Sequence, residues 1–353
     1  VNKHEKYINR CIELAKNGLG NTYPNPLVGS VIVYNDQIIG EGWHKKAGEP
    51  HAEVNAINSV IDKSLLSKAT IYVSLEPCSH FGKTPPCADL IVTHKISNVV
   101  IGTVDPNEKV AGKGIAKLLD AGINVTVGIL EEACNDLNKR FFTFHQKKRP
   151  YIILKWAETA DGYIAPSKRL NQVQHDELKP VWITNKYSRQ LVHKWRAEEQ
   201  AILVGTQTVL DDNPSLTTRD FSGNNPVRIV LDKSGKIDAK FHVKDNTIKT
   251  IFLTENNDFI ASENCIYERC LFDENLIENA LTILAKHQIQ SIIIEGGSKT
   301  IQSFIDKNSW DEARIFQGKS MFEKGIKAPK IRGKIIETTT ILENKLSFLK
   351  NHD

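Results

Sequence analysis

Nothing in the 353 residues reads as a membrane span, because no stretch approaches the roughly 20 consecutive apolar residues that cross a bilayer. Strong charge of one sign is missing too. The formal net charge is +4 and is spread evenly, which argues against a nucleic-acid or membrane partner. The longest basic run, Lys147-Lys148-Arg149, falls at an expected linker and reads as solvated. Cysteine is sparse, and six in a chain of this length make no disulfide framework. Cys11 falls on the apolar face of a first helix with Tyr7, Ile8, Ile12 and Ala15, while Cys134, Cys265 and Cys270 have no partner at ligand spacing. The opening residues Val1-Asn2-Lys3-His4-Glu5 carry no apolar signal core, so a cytoplasmic protein is expected. Internal repeats, low-complexity tracts and a G-x-G-x-x-G fingerprint are all lacking.

What is present is alternation. The length suggests two domains of roughly 150–200 residues each. In the first, helices are expected near 3–17, 52–62, from about 88, at 113–121 and at 131–144. Strands are expected at 28–34, 37–41, 70–75, 98–102 and 124–128, with a turn at Asn35-Asp36. Arg149-Pro150 breaks the pattern, since a residue before proline is pushed out of helix. A second series follows, with strands at 151–157, 201–205, 227–232, 250–253, 291–295 and 312–317. Its helices fall at 185–196, 275–287 and 298–306. Both halves read as α/β, the first with a mostly parallel sheet covered on both faces and the second as a further α/β sheet.

The first candidate site is His51-Ala52-Glu53 at the start of one helix, with Pro77-Cys78 after a strand and Cys87 nearby. Three soft or borderline ligands leave a tetrahedral zinc one open position for water, whereas a structural site would close with a fourth. Zinc makes that water a hydroxide nucleophile near neutrality. Glu53, two residues from His51, can face the open position without binding metal and serve as base and then acid. H-x-E followed by P-C-x-x-C is the arrangement of zinc deaminases. Here the gap from Cys78 to Cys87 is longer, holding Ser79, His80, Phe81, Gly82, Lys83, Thr84, Pro85 and Pro86. The residue-level reading is therefore a deaminase acting on an amino-substituted nitrogen heterocycle.

In the second half, Ile292-Ile293-Ile294-Glu295-Gly296-Gly297-Ser298-Lys299-Thr300 runs from a buried strand through glycines into a helix. Free N–H groups at such a helix start suit a cofactor phosphate.

Several motifs together resemble one family. They are Pro24-Asn25-Pro26-Leu27-Val28-Gly29, Gly42-Trp43-His44, His51-Ala52-Glu53-Val54, Leu75-Glu76-Pro77-Cys78-Ser79-His80, Thr84-Pro85-Pro86-Cys87 and Asp105-Pro106-Asn107. In the second half they continue with Asp161-Gly162, Trp182-Ile183-Thr184, Arg196-Ala197 and Glu295-Gly296-Gly297. The chain resembles the bifunctional riboflavin-biosynthesis deaminase/reductase family over nearly its whole length. The resemblance implies a cytidine-deaminase-like α/β/α domain at 1–147 and a dihydrofolate-reductase-like α/β domain at 148–353. It implies zinc-dependent deamination of 2,5-diamino-6-ribosylamino-4(3H)-pyrimidinone 5′-phosphate. NADPH reduction of the ribosyl group to ribityl then follows.

By the same resemblance, the metal is held by His51, Cys78 and Cys87, and Asn25, His44, His80 and Lys83 contact the deaminase substrate. Physical chemistry fits two of these: an amide such as Asn25 pairs with a heterocycle edge, and Lys83 is a compact cation suited to phosphate. The resemblance assigns the cofactor to Glu158, Trp182, Thr208, Asp212, Gly297, Ser298, Lys299, Thr300, Ile301, Gln302 and Ser303. It assigns the reductase substrate to Arg196, Leu216, Arg219 and Glu295. Arg196 and Arg219 suit a clamp on a ribose phosphate, and Lys155 and Asp161 are candidate proton donors near the pocket. The chain departs from the family pattern in three places: a longer run at 171–181 that puts Pro180 where a substrate-contacting serine is common, Asn213 in place of an acidic residue, and Thr159-Ala160 before Asp161. A homo-oligomer, dimer or tetramer, is the family's habit.

Three rival readings make different demands. A deaminase of another nucleobase-type substrate, acting on polynucleotides, needs a basic channel, stacking aromatics and a short inter-cysteine gap. The even charge and long gap count against it. A non-enzymatic zinc module needs Glu53 lost or a fourth ligand, and neither is evident nearby. A chain with an active deaminase and a degenerate reductase differs only in its second half.

Overall fold

The computed structural model describes residues 2–80, 85–108, 110–167, 181–256 and 258–352. The chain divides into two compact units, Val1–Lys148 and Arg149–Asp353.

The first unit runs α1 (Lys3–Lys16), β1 (Gly29–Tyr34), β2 (Gln37–Trp43), α2 (Ala52–Ser59), β3 (Thr70–Leu75), α3 (Cys87–Thr93) and β4 (Asn98–Thr103). It continues with α4 (Lys113–Asp120), β5 (Asn124–Val127), α5 (Glu131–Leu137) and α6 (Lys139–Lys147). Asn2 starts α1 through a capping box with Glu5, and Tyr7, Ile8, Cys11, Ile12 and Ala15 form its buried face. Asn35 and Asp36 both take positive φ, 49° and 61°, as a two-residue hairpin between β1 and β2 requires.

The sheet order is β2-β1-β3-β4-β5 among the described residues. β3, β4 and β5 are parallel, as the alternation predicts, but β1 runs antiparallel to both β2 and β3. A hairpin at the sheet edge makes this unit mixed rather than all-parallel. One face is packed by Ala56, Ile57, Ala88, Ile91 and Leu118, the other by Ile8, Cys11, Cys134 and Leu137, so helices cover both sides. The helix expected at 131–144 is two helices. Asn138 breaks it: its buried amide takes the Leu27 N–H at 2.8 Å and donates to Leu27 O at 2.8 Å. That partner lies 111 positions away, beyond the reach of any local pattern.

The second unit contains β6 (Tyr151–Glu158), β7 (Tyr163–Pro166), α7 (Lys186–Glu198), β8 (Ala201–Gly205), α8 (Thr206–Asp212), β9 (Val227–Leu231), β10 (Thr250–Thr254) and β11 (Cys265–Arg269). After these come α9 (Leu276–Lys286), β12 (Ser291–Ile294), α10 (Ser298–Asp306), β13 (Glu312–Gln317), β14 (Gly325–Lys327), β15 (Lys334–Ile341) and β16 (Asn344–Lys350). Its main sheet, among the described residues, has the order β11-β10-β9-β8-β12-β6-β13-β16-β15. The strands from β11 to β13 are parallel, and the C-terminal hairpin β15–β16 adds antiparallel strands beside β13. Ile152, Leu154, Ile292 and Ile294 face one core, while Ile153, Ile293, Val192 and Phe316 face another. This alternation explains the near-continuous apolar runs of β6 and β12, since a strand covered on both faces has no polar side. Chain order and spatial order part around β12, which inserts between β8 and β6. In open parallel sheets a crevice forms at the carboxyl ends of such strands.

Candidate functional site

In the first unit, two helix starts converge. His51 is the residue before α2, extended at φ −71° and ψ 168°, and Cys87 opens α3 directly after Pro85-Pro86. Proline is tolerated there because the first helical N–H groups have no intrahelical partner. Cys78 lies in the turn after β3. The Cys87 N–H donates to Cys78 Sγ at 3.3 Å, and Ala88 N–H donates to Cys78 O at 3.1 Å, so the start of α3 grips the turn.

His51 Nδ1 stands 3.5 Å from Cys78 Sγ and 3.4 Å from Cys87 Sγ, and the three ligand atoms lie within 4.8 Å of one another. Tetrahedral zinc with Zn–N of about 2.0 Å and Zn–S of about 2.3 Å places N and S about 3.5 Å apart. The donor set and its spacing therefore fit zinc. The electrostatics agree. The Cys78 thiol is pulled down by its hydrogen bond with Cys87 and, against its burial, by His51. That same bond and burial push the Cys87 thiol up. The pair readily holds a thiolate, the form that binds metal.

Glu53 is the second residue of α2 and only 3 % exposed. Burial, helped by the charge of Cys78, pushes its carboxyl up to about 7. Asn25 and His44 meet beside the cluster. His44 Nδ1 is 3.2 Å from Pro50 O, which can only accept, so this nitrogen carries the proton. Nε2 then accepts from the Asn25 amide at 3.1 Å, and the His44 ring meets the His51 ring edge-on at 5.3 Å. His80 is exposed at the end of the turn. Lys83 lies outside the described residues.

The residue patterns assign no role to Glu76, which the structure makes central. Its buried carboxylate accepts four backbone N–H groups: Asp105 at 3.2 Å and Gly112 at 2.9 Å on Oε2, Gly114 at 2.9 Å and Ile115 at 3.2 Å on Oε1. It thus caps α4 from a distant strand end and fixes the turn carrying Cys78. Gly114 allows the approach, since a Cβ there would lie 2.0 Å from Pro77 O. An acidic residue before Pro-Cys with Gly-x-Gly downstream was the available signal. Asp105, close by, is also buried, and burial pushes its carboxyl up to about 6.

In the second unit the candidate residues gather where β6, β8 and β12 end. Glu295 follows Ile294, and Lys155 follows Leu154, the Cα partner of Ile294. Arg196, from α7, is bidentate to Glu295 at 3.0 and 2.7 Å, and Lys155 Nζ is 3.7 Å from the same carboxylate. Burial opposes ionisation of Glu295, but Arg196 and Lys155 outweigh it and hold the carboxyl at about 2. Burial lowers the Lys155 ammonium. Arg196 also donates to Thr217 O at 3.1 Å. Leu216 beside it is buried with φ +55°, and Arg219 is exposed.

Two further helix starts meet here. Gly297 precedes α10 with φ +51°, a conformation glycine takes at little cost. A Cβ on Gly297 would be 3.4 Å from Thr208 Oγ1, and one on Gly205 would be 2.7 Å from Thr300 Oγ1. The cradle between α8 and α10 is thus lined by glycines, hydroxyls and free N–H groups, which suits a cofactor phosphate. Ser298 donates to Lys327 O at 2.7 Å, and Gln302 accepts the Lys330 N–H at 2.8 Å. Ile301 is buried, while Lys299 and Ser303 lie on the same helix. Glu158, at the end of β6, accepts from Trp156 Nε1 at 2.8 Å. Trp182 is 56 % exposed with the Arg189 guanidinium 4.5 Å above its ring. Asp212 ends α8.

Two residues are more engaged than their sequence context suggests. Asp161 accepts from Thr159 Oγ1 and from the N–H groups of Phe322 and Glu323, which ties down a loop. Asn213 takes φ +40°, which Asn tolerates, and its Oδ1 accepts the His242 N–H at 2.8 Å. Of the longer run at 171–181, residues up to Pro180 lie outside the described residues.

Comparison with known proteins adds an independent line. Residues 1–103 match the family described as cytidine and deoxycytidylate deaminase zinc-binding region, and residues 150–322 match the RibD C-terminal domain. The chain is 38 % identical to riboflavin biosynthesis protein RibD of Aquifex aeolicus, over 99 % of this chain and 98 % of that one. It is 34 % identical to RibD of Escherichia coli over 88 % of this chain and 86 % of the relative. Among solved structures, it superposes with TM-score 0.86 on a diaminohydroxyphosphoribosylaminopyrimidine deaminase/5-amino-6-(5-phosphoribosylamino)uracil reductase of Thermotoga maritima, at 38 % identity and 99 % coverage of both chains. RibD of Acinetobacter baumannii gives 0.89 at 31 % identity, again covering 99 % of both.

Proposed function

The chain belongs to the RibD family of riboflavin-biosynthesis proteins and has a deaminase and a reductase step, and from that premise we propose how its residues divide the work. Residues 1–147 deaminate 2,5-diamino-6-ribosylamino-4(3H)-pyrimidinone 5′-phosphate, and residues 148–353 reduce the ribosyl group of the product to ribityl. The observation that carries the first half is the His51–Cys78–Cys87 cluster at zinc spacing with Glu53 buried beside it.

When bound, zinc supplies Lewis acidity and a more acidic water. Glu53 moves the protons: it takes one from the attacking water and gives it to the ring nitrogen, then takes the one left on the new hydroxyl and gives it to the departing amine, which leaves as ammonia as the carbonyl forms. Burial keeps bulk water from competing for that proton. Asn25 and His44, locked to one another, present a fixed polar edge to the heterocycle. His80 and Lys83 are assigned to the deaminase substrate, with the Lys83 cation suited to its phosphate.

When bound, NADPH supplies the hydride. The starts of α8 and α10 hold its phosphates, with Glu158, Trp182, Thr208 and Asp212 around them. Glu295 and Leu216 orient the sugar. Arg196, already committed to Glu295, shapes the site and leaves Arg219 to meet the phosphate. Lys155, half-buried 3.7 Å from Glu295, is the candidate proton donor.

The substrate is a small phosphorylated molecule. No helix among the described residues is long and apolar enough to cross a membrane. We place the protein in the cytoplasm as a homo-oligomer. The test supplies the purified chain with the diaminopyrimidine ribosylamino phosphate. Ammonia release without NADPH, followed by NADPH oxidation, is expected. Absence of ammonia refutes the first assignment, and ammonia without NADPH oxidation refutes the second.

A further inference from the structure

The segment Leu216–Asp220 carries Arg219 but has little regular structure of its own, so something outside it must fix where that guanidinium points. Helix α7 grips it twice. Arg196 Nη1 donates to Thr217 O at 3.1 Å. One turn earlier, His193 is buried, and its Nδ1 accepts the Asp220 N–H at 3.3 Å. An imidazole nitrogen that accepts carries no proton, so the ring proton sits on Nε2, which is 3.5 Å from Asp220 Oδ2. His193 therefore meets both the backbone and the side chain of Asp220. Thr218 closes the loop, its N–H and Oγ1 both donating to Asn225 Oδ1, and Phe221 N–H donates to Thr218 O. Arg219 stands between the gripped residues, exposed and, among the described residues, without an ion pair. Burial, together with the guanidinium groups of Arg196 and Arg219, brings the His193 imidazole down to about 4 against the pull of Asp220 and Glu295. The Nδ1 lone pair is thus available at neutral pH.

We infer that His193 is a positioning residue of the reductase half, which holds Asp220 and so presents Arg219 to the anionic group of the substrate. This rests on the reading of Arg219 as a substrate residue. His193 touches no reacting atom. Its contribution is orientation, which strengthens binding of the phosphorylated end more than it speeds hydride transfer.

The test uses the full chain and its own deaminase as internal control. His193→Leu removes both ring contacts, His193→Asn keeps an acceptor near the Nδ1 position, and Arg219→Gln removes the guanidinium. Reductase kcat and KM are measured with the phosphorylated deaminated intermediate and with its dephosphorylated form. For His193→Leu, KM for the phosphorylated substrate rises about tenfold or more while kcat stays within about threefold. KM for the dephosphorylated form and for NADPH, and ammonia release, change little. Arg219→Gln behaves alike, and His193→Asn stays within about threefold of wild type. If Leu prevents folding, His193→Gln replaces it, because its amide reaches the Nε2 position and leaves the Asp220 N–H without an acceptor. An unchanged KM in His193→Leu, alongside a raised KM in Arg219→Gln, overturns the inference alone. So does a His193→Asn variant as impaired as the Leu one. An unchanged KM in Arg219→Gln overturns the reading of Arg219 and the inference with it.

Discussion

Glu76→Gln isolates the effect of one carboxylate on a site it does not enter. The native side chain accepts four N–H groups, two on each oxygen. The amide keeps one accepting oxygen and turns a donor toward the other pair, so two backbone N–H groups in a buried place lose their partner. A hydrogen bond to a charged group is worth about 1.5–3 kcal/mol. Loss of a negative charge at the start of α4 adds about 0.3–1 kcal/mol. The sum is roughly 3–7 kcal/mol, a large share of the 5–15 kcal/mol that stabilises a typical domain. A two-unit chain does not guarantee one unfolding transition, so the readout is local. Amide hydrogen exchange at whichever pair loses its acceptor, Asp105 and Gly112 or Gly114 and Ile115, accelerates by about a hundredfold or more, which is roughly 3 kcal/mol of local opening. Bound zinc falls as well, because Cys78 is two residues from Glu76. Reductase turnover, residing in the other unit, stays at its wild-type value. Exchange within about threefold of wild type at those amides would refute the capping argument.

Two further outcomes follow from the same geometry. Glu53→Gln keeps the cluster intact, so zinc content by elemental analysis stays at the wild-type level while ammonia release drops by about a hundredfold or more; wild-type turnover in this variant removes Glu53 from the proton path. Glu295 has a depressed carboxyl, about 2 against an ordinary value of 4.5. A depressed acid stabilises the fold fully above its unfolded value and loses that contribution as pH falls toward the folded one. The second unit therefore loses on the order of 3 kcal/mol between about pH 4.5 and pH 2 from this group. Urea unfolding across that window is steep in wild type and flatter in Glu295→Gln, and equal slopes contradict the ion-pair account.

Local chemistry made the deaminase site readable. His51, Glu53, Cys78 and Cys87 are brought together by two helix starts, and their motif spacing records those elements directly. The strands at 70–75, 201–205 and 312–317 and the helix at 298–306 coincide with the expected segments, because each is a periodic or apolar run bounded by polar or glycine residues. Elements held by distant partners were not readable. Asn138 splits a helix through a bond to Leu27, and β7 pairs with β14 over a separation of about 160 residues. β15 is exposed along almost its whole length, so it has no alternation to announce it, and its turn uses Leu342 at φ +54° rather than an Asn-Gly signal.

The acidic residues make the same distinction. A sequence places Glu53, Glu76, Asp161 and Glu295 in motifs alike, and each is the right type for acid–base work. What separates them is which donors reach them. Glu76 is saturated by backbone N–H groups, Asp161 by a hydroxyl and two more N–H groups, and Glu295 by a bidentate arginine with a lysine nearby. The last two are held below the ordinary carboxylate range, Asp161 mainly by the Thr159 hydroxyl and Glu295, against its burial, by Arg196 and Lys155. Glu53 is buried against a thiol pair instead, with its carboxyl pushed up rather than down. Of these four carboxylates, one is left free to move a proton and three have their bonds spent on geometry. Only the first follows from motif and spacing, because apart from Thr159 beside Asp161 the partners of the other three come from segments far along the chain.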